Sequence, residues 1–123
     1  MPTRTKPAAK QLLDDNLPLD IFALIGKTEN IEHAAVAMQA MSHPLRIKIL
    51  CLLSSGEMMV QEITDAVGST QSNISQHLAI LRDKKILKTR KVANKVYYRI
   101  ADERMLLLVS MMRQVFCGVP VKG

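Results

Sequence analysis

One glycine, Gly68, separates two stretches of helical periodicity, and no other feature limits the fold of this 123-residue chain so sharply. Before it, roughly residues 60 to 67 read as a short helix that buries Ile63 and Val67. After it, Ile74, Leu78 and Leu81 fall at i, i+4 and i+7, one face of a 3.6-residue period. Gly68 can adopt the left-handed conformation that stops a helix, and Ser69 or Thr70 can cap the next. Two helices therefore meet across about three residues, which is a helix-turn-helix corner.

The polar side of the second helix is unusual. A solvated helix normally carries Glu and Lys there, because they form helix well and pair at i, i+4. "QSNISQ" instead offers Gln71, Ser72, Asn73, Ser75 and Gln76. Short amides and hydroxyls match the donor and acceptor edges of base pairs in the major groove, and a recognition helix presents them at its N-terminal end.

The segment that follows extends this reading. "ILKTRKVANKVYYRI" holds two short β-branched and aromatic runs around Ala93-Asn94, the pattern of a β-hairpin, with Val96, Tyr98 and Ile100 alternating on one face. From Arg82 to Arg99 there are eight basic residues against one acidic, a local +7, so the rest of the chain carries −1 of the total +6. Charge concentrated in this way is the footprint of a polyanion site rather than a solubility feature. Arg82, Lys85, Arg90, Lys91, Asn94 and Lys95 are the expected contacts outside the helix, the cations supplying salt-sensitive phosphate attraction. A basic hairpin after a helix-turn-helix is a wing, so the fold expected is mainly α with a small β-hairpin, a winged helix-turn-helix.

Earlier in the chain, Thr28 is the expected cap of a helix with Ile31, Ala34, Ala35, Met38 and Met41 on one stripe, and Ser42 the cap of another with Pro44 in its first turn. Leu45, Ile49, Leu52 and Leu53 give that second helix an inner face. A last helix, about 102 to 117, is too apolar for a free surface, with Met105, Leu108, Val109 and Met112 on one stripe. Residues 1–25 read as a mobile extension with "DIFALIG" as a candidate short helix, 26–118 as the winged domain and 119–123 as a tail.

With aromatics at 3% and eight Met, the core is aliphatic and thioether, which favours helices over a strand sandwich. No apolar run suits a signal peptide or a membrane span, so the expected compartment is the cytoplasm, where a permanent disulfide between Cys51 and Cys117 is disfavoured. No nucleophile–base pair, phosphate loop or paired carboxylates point to an enzyme, and no cofactor is expected. His33, His43 and His77 lack ligand spacing, and His77 beside the buried face reads as a packing residue.

The stretch from "MSHPLRIKIL" through "SNISQHLAILRD" to "YYRI" is similar to the ArsR/SmtB family of bacterial winged-helix repressors, over about Ile31 to Cys117. The resemblance implies a homodimer built from the first and last helices, here through Ile31, Ala35, Met38, Met105, Leu108, Val109 and Met112. It also implies binding to double-stranded operator DNA that an inducer releases. The metal sites of the family do not carry over. Met59 and Gln61 stand where thiolate sensors have their cysteine pair, and of the last-helix site only Asp102 matches, with Arg104, Val115 and Gly118 at the other positions. Cys51 and Cys117 do match a subgroup resembling BigR, HlyU and SqrR, whose paired thiols respond to reactive sulfur species or oxidants. Read without the resemblance, both cysteines are small buried hydrophobes. The alternatives are a metal-responsive repressor with a non-standard site and a winged-helix module for protein partners.

Overall fold

The computed structural model describes residues 28–118. The extension, the "DIFALIG" segment and the tail lie outside the described residues. The chain divides into two compact units, Met1–Ala34 and Ala35–Gly123, and the described part of the first is the opening of α1. The described elements are α1 (Thr28–Ala40), α2 (Pro44–Leu53), β1 (Met58–Met59), α3 (Val60–Val67), α4 (Gln71–Asp83), β2 (Leu87–Val92), β3 (Lys95–Ile100) and α5 (Glu103–Cys117).

Proline decides where α2 begins. A residue before proline is pushed out of the helical region, and His43 is extended at φ −142° and ψ 127°. Its Nδ1 accepts the Leu45 backbone N–H at 3.1 Å, so His43 is the cap. Ser42, expected in that role, instead donates its hydroxyl to the Gln39 carbonyl at 2.7 Å and closes the end of α1. The corner between α3 and α4 forms as its residues dictate: Gly68 is left-handed at φ 82°, and Thr70 Oγ1 accepts the Asn73 N–H at 3.1 Å.

α4 ends in a Schellman motif. The Ile86 N–H reaches the Leu81 carbonyl and the Lys85 N–H reaches the Arg82 carbonyl, both at 2.9 Å. Ile86 and Leu81 are both buried, the apolar contact that accompanies such a cap. The left-handed position, normally glycine, is held by Lys85 at φ 63°, a conformation that costs an L-residue with a Cβ ~1–2 kcal/mol. Lys85→Gly removes that strain but makes the unfolded chain more flexible. A net gain of ~0.5–1 kcal/mol in urea unfolding is expected.

β2 and β3 form the hairpin with Val92 opposite Lys95 and Leu87 opposite Ile100, closed by Ala93 and Asn94. The sheet has a third strand that the sequence does not signal: β1 pairs antiparallel with β3, Met58 opposite Tyr98, giving the order β1-β3-β2. A two-residue strand is too short to show a period. The core gathers Ile49, Leu50 and Leu53 from α2, Ile63 from α3, Ile74, Leu78 and Leu81 from α4, Leu87 and Ile100 from the sheet, and Val109 from α5.

The α5 stripe faces the protomer's own core. Val109, expected at a dimer interface, is fully buried in its own chain, and Met105, Leu108 and Met112 pack against the same core. The helical period turns positions 105, 108, 109 and 112 toward the core together, with Val109 fully buried and the other three keeping part of their surface exposed. α5 leaves other apolar side chains exposed: Leu106, Leu107, Val115 at 66% and Phe116 at 82%. In α1, Ile31 and Met38 are exposed at 45% and 51%, Ala35 is exposed, and only Ala40 at its end is buried.

Candidate nucleic-acid interface

Burying Ile74, Leu78 and Leu81 turns the other side of α4 outward, and Gln71, Ser72, Asn73, Ser75 and Gln76 are all exposed. Asn73 is partly committed, since its Nδ2 donates to Ser69 Oγ at 3.0 Å. Among the described residues, no hydrogen bond engages the side chains of Gln71, Ser72, Ser75 or Gln76. Four amide and hydroxyl groups at the start of one helix thus point outward with their bonding capacity unspent.

The hairpin register sorts the cations by face, because side chains alternate along a strand. Opposed pairs Leu87–Ile100, Thr89–Tyr98 and Lys91–Val96 share the core-side face. Lys88–Arg99, Arg90–Tyr97 and Val92–Lys95 share the outward one. Lys91 and Lys95, both expected phosphate contacts, therefore lie on opposite faces. Lys88 and Arg99, not among the expected contacts, join Lys95 on the outward face, and the alternation along "LKTRKV" and "KVYYRI" is the signal that identifies them. Lys88 directly opposes Arg99, a like-charge pair that weakens a sheet. The fold has no use for such a pair; a polyanion would. Arg82, Lys85 and Asn94 are exposed nearby in sequence.

Arg90 is differently placed. Its Nε donates to both Glu57 carboxylate oxygens, at 2.9 and 3.0 Å, and Nη2 also bonds Oε1. The guanidinium lies 5.2 Å from the Tyr97 ring centre, spanning β3 to reach the residue ahead of β1. This bond is the main reason the Glu57 carboxyl sits below its usual range and the Arg90 guanidinium above. In this structure Arg90 secures the wing rather than offering its fork to a ligand.

Cys51 lies on α2, partly buried against the core, and Cys117 is the last residue of α5. Their two helices touch: Arg113 Nη1 donates to Ser54 Oγ at 2.6 Å, and Ser54 Oγ donates to the Cys51 carbonyl at 2.6 Å. Arg113, four residues before Cys117 in α5, therefore reaches the end of α2. Among the described residues, no group of three or more His, Cys, Asp or Glu could hold a metal ion, and no helix is long and apolar enough to cross a membrane.

A family model described as "Bacterial regulatory protein, arsR family" matches residues 43–89, from the α2 cap through the corner into β2. A biofilm growth-associated repressor of Agrobacterium fabrum is 30% identical over 82% of this chain and 88% of its own length. The structure of HlyU from Vibrio cholerae superposes with a TM-score of 0.69 at 33% identity, covering 72% of this chain and 96% of that one. The homodimeric winged helix-turn-helix domain of Mb0332 from Mycobacterium bovis, described as a possible ArsR-family regulator, gives a TM-score of 0.66 at 29% identity, over 72% and 82% of the two chains. These similar proteins are transcriptional regulators rather than enzymes. The chain belongs to the arsR family of bacterial regulatory proteins.

Proposed function

We propose that this protein is a cytoplasmic transcriptional repressor that binds duplex operator DNA as a homodimer and lets go when Cys51 and Cys117 are oxidised or joined through sulfur. One observation carries the DNA reading: the unspent amides and hydroxyls of Gln71, Ser72, Ser75 and Gln76 stand on the helix that precedes a cation-bearing wing. In this reading Gln71, Ser72, Asn73, Ser75 and Gln76 read base edges. Lys88, Lys95 and Arg99 on the outward face, with Arg82, Lys85 and Lys91, hold phosphates. Replacing Gln76 by Ala should lose ~1–3 kcal/mol on a selected operator and little on random DNA, as measured by fluorescence anisotropy. Equal losses on both would overturn its role as a reader.

The exposed Leu106, Leu107, Val115 and Phe116 leave apolar side chains along α5 and at its end for a second copy to cover, consistent with the homodimeric Mb0332 domain. For release, the support is that α2 and α5, which carry the two cysteines, are already in contact through Arg113 and Ser54. Bridging two thiols gives up two electrons and two protons to an oxidant or a polysulfide. The tether would shift α5 relative to the reading helix. A weakening of ~2–3 kcal/mol suffices for induction. Polysulfide treatment should release DNA from the wild type and not from Cys51→Ser or Cys117→Ser, with mass spectrometry recording an intramolecular link. Release from either serine variant would sink the dithiol mechanism.

A further inference from the structure

On the core side of α4 a polar cluster joins three elements. Arg46 of α2 donates Nε–H to His77 Nδ1 of α4 at 3.1 Å and Nη1–H to the Ala40 carbonyl, the end of α1, at 3.3 Å. The His43 ring, at the cap of α2, lies 4.5 Å from that of His77, tilted by 49°. A guanidinium and a backbone amide are donors only. Since His77 Nδ1 accepts from the first, that nitrogen carries no proton and the His77 ring is neutral.

His77 directly follows Gln76 on the reading face. The contacts of Ile74, Leu78 and Leu81 hold α4 to the core, but apolar burial is non-directional and tolerates small rolls about the helix axis. Hydrogen bonds to base edges weaken steeply with angle. Among the described residues, the bond from Arg46 is the directional side-chain link between α4 and α2. We propose that Arg46 and His77 are positioning residues that fix the roll of α4 for sequence reading, and that protonating His77 releases this hold, making operator discrimination acid-sensitive. The inference rests on the DNA-reading function above.

The surroundings support it. Burial first, then the electrostatic influence of His43 and Arg46, lower the His77 pKa below the ordinary imidazole value. Those two, both from the start of α2, are the groups acting on His77 electrostatically among the described residues; α3 and the sheet add none. The neutral ring is therefore the form the fold favours. Its contribution is intact above the ordinary imidazole pKa of ~6.5, and is lost as pH falls from there through the lower folded value. Once charged, His77 can no longer accept at Nδ1 and repels Arg46.

The test uses a duplex that the full-length wild type enriches from a random-sequence pool at about pH 7.5, and a scrambled duplex of equal composition. Between about pH 7.5 and 5.5, wild-type preference for the enriched duplex should fall roughly three- to tenfold, the worth of one hydrogen bond, while scrambled binding holds or tightens as positive charge increases. Arg46→Met, which keeps the apolar stem, should show the lowered preference already at the higher pH. His77→Asn, whose amide oxygen can replace Nδ1 as acceptor without titrating, should keep the preference at both. A pH-independent wild-type preference, or full preference in Arg46→Met, would overturn the proposal. An NMR titration without DNA tests the cluster separately: α4 amides should shift together with the His77 ring in the wild type and stay still in His77→Asn. If the pool yields no enriched sequence, the DNA-reading function fails, whereas α4 amides indifferent to His77 protonation defeat the positioning role alone.

Discussion

Changing Lys88, Lys95 and Arg99 together to Gln is expected to lower affinity for any duplex DNA, operator or random, by roughly two to three orders of magnitude for each protomer engaged at ~0.1 M salt. Each phosphate neutralised contributes ~0.9 to the slope of log affinity against log salt, so losing three contacts per protomer flattens that slope by ~2.7 per protomer. On the outward face of the hairpin the three side chains sit exposed, and among the described residues Glu57 is the acid acting near Arg99. Removing the Lys88–Arg99 repulsion should also leave the sheet slightly more stable, by ~0.2–1 kcal/mol. A protein that folds better and binds worse would separate function from fold at these positions. Anisotropy titrations over a salt series measure the first effect and urea unfolding the second. An unchanged salt slope would remove the wing from the interface.

Leu78→Ala is expected to cost ~2–5 kcal/mol of folding stability. Leu78 is fully buried at the centre of α4, between Ile74 and Leu81, and the substitution leaves a cavity that the surrounding helices can only partly fill. Against the ~5–15 kcal/mol of a typical domain this is a large fraction. Because the same side chain clamps the reading helix to the core, operator discrimination should fall with stability. Gln76→Ala, two residues away on the exposed side, should leave unfolding unchanged while removing discrimination. The two variants separate what holds α4 from what α4 does.

Features coded by neighbouring residues were legible in the sequence. Gly68 announced the corner, Ala93-Asn94 the hairpin turn, and the Ile74, Leu78, Leu81 spacing the buried face of α4. Ser42 and His43 are adjacent, and the choice between them as cap turned on the restriction that Pro44 places on the residue before it. Contacts between distant positions were not legible. Glu57 and Arg90 are 33 residues apart, Arg46 and His77 are 31 apart, and nothing periodic links either pair. The inward stripe of α5 was recognised as apolar, but periodicity cannot say whether such a stripe meets its own core or another chain. The face of each wing cation was encoded by alternation, yet a dense run of Lys and Arg conceals that period unless the strand register is known.

The two residues of β1 have an energetic consequence. A hairpin attached only at its ends would sample many orientations and lose that freedom on contact with DNA. Pairing of Met58 and Met59 with Tyr98 and Tyr97 stitches the wing to the start of α3, and Arg90 and Glu57 fasten the same edge. The wing therefore arrives already ordered, and its backbone has little conformational entropy left to lose on binding. Free energy that a floppy arm would spend on its own immobilisation, ~0.5–1.5 kcal/mol for each flexible side chain fixed, is here confined to the lysine and arginine tips.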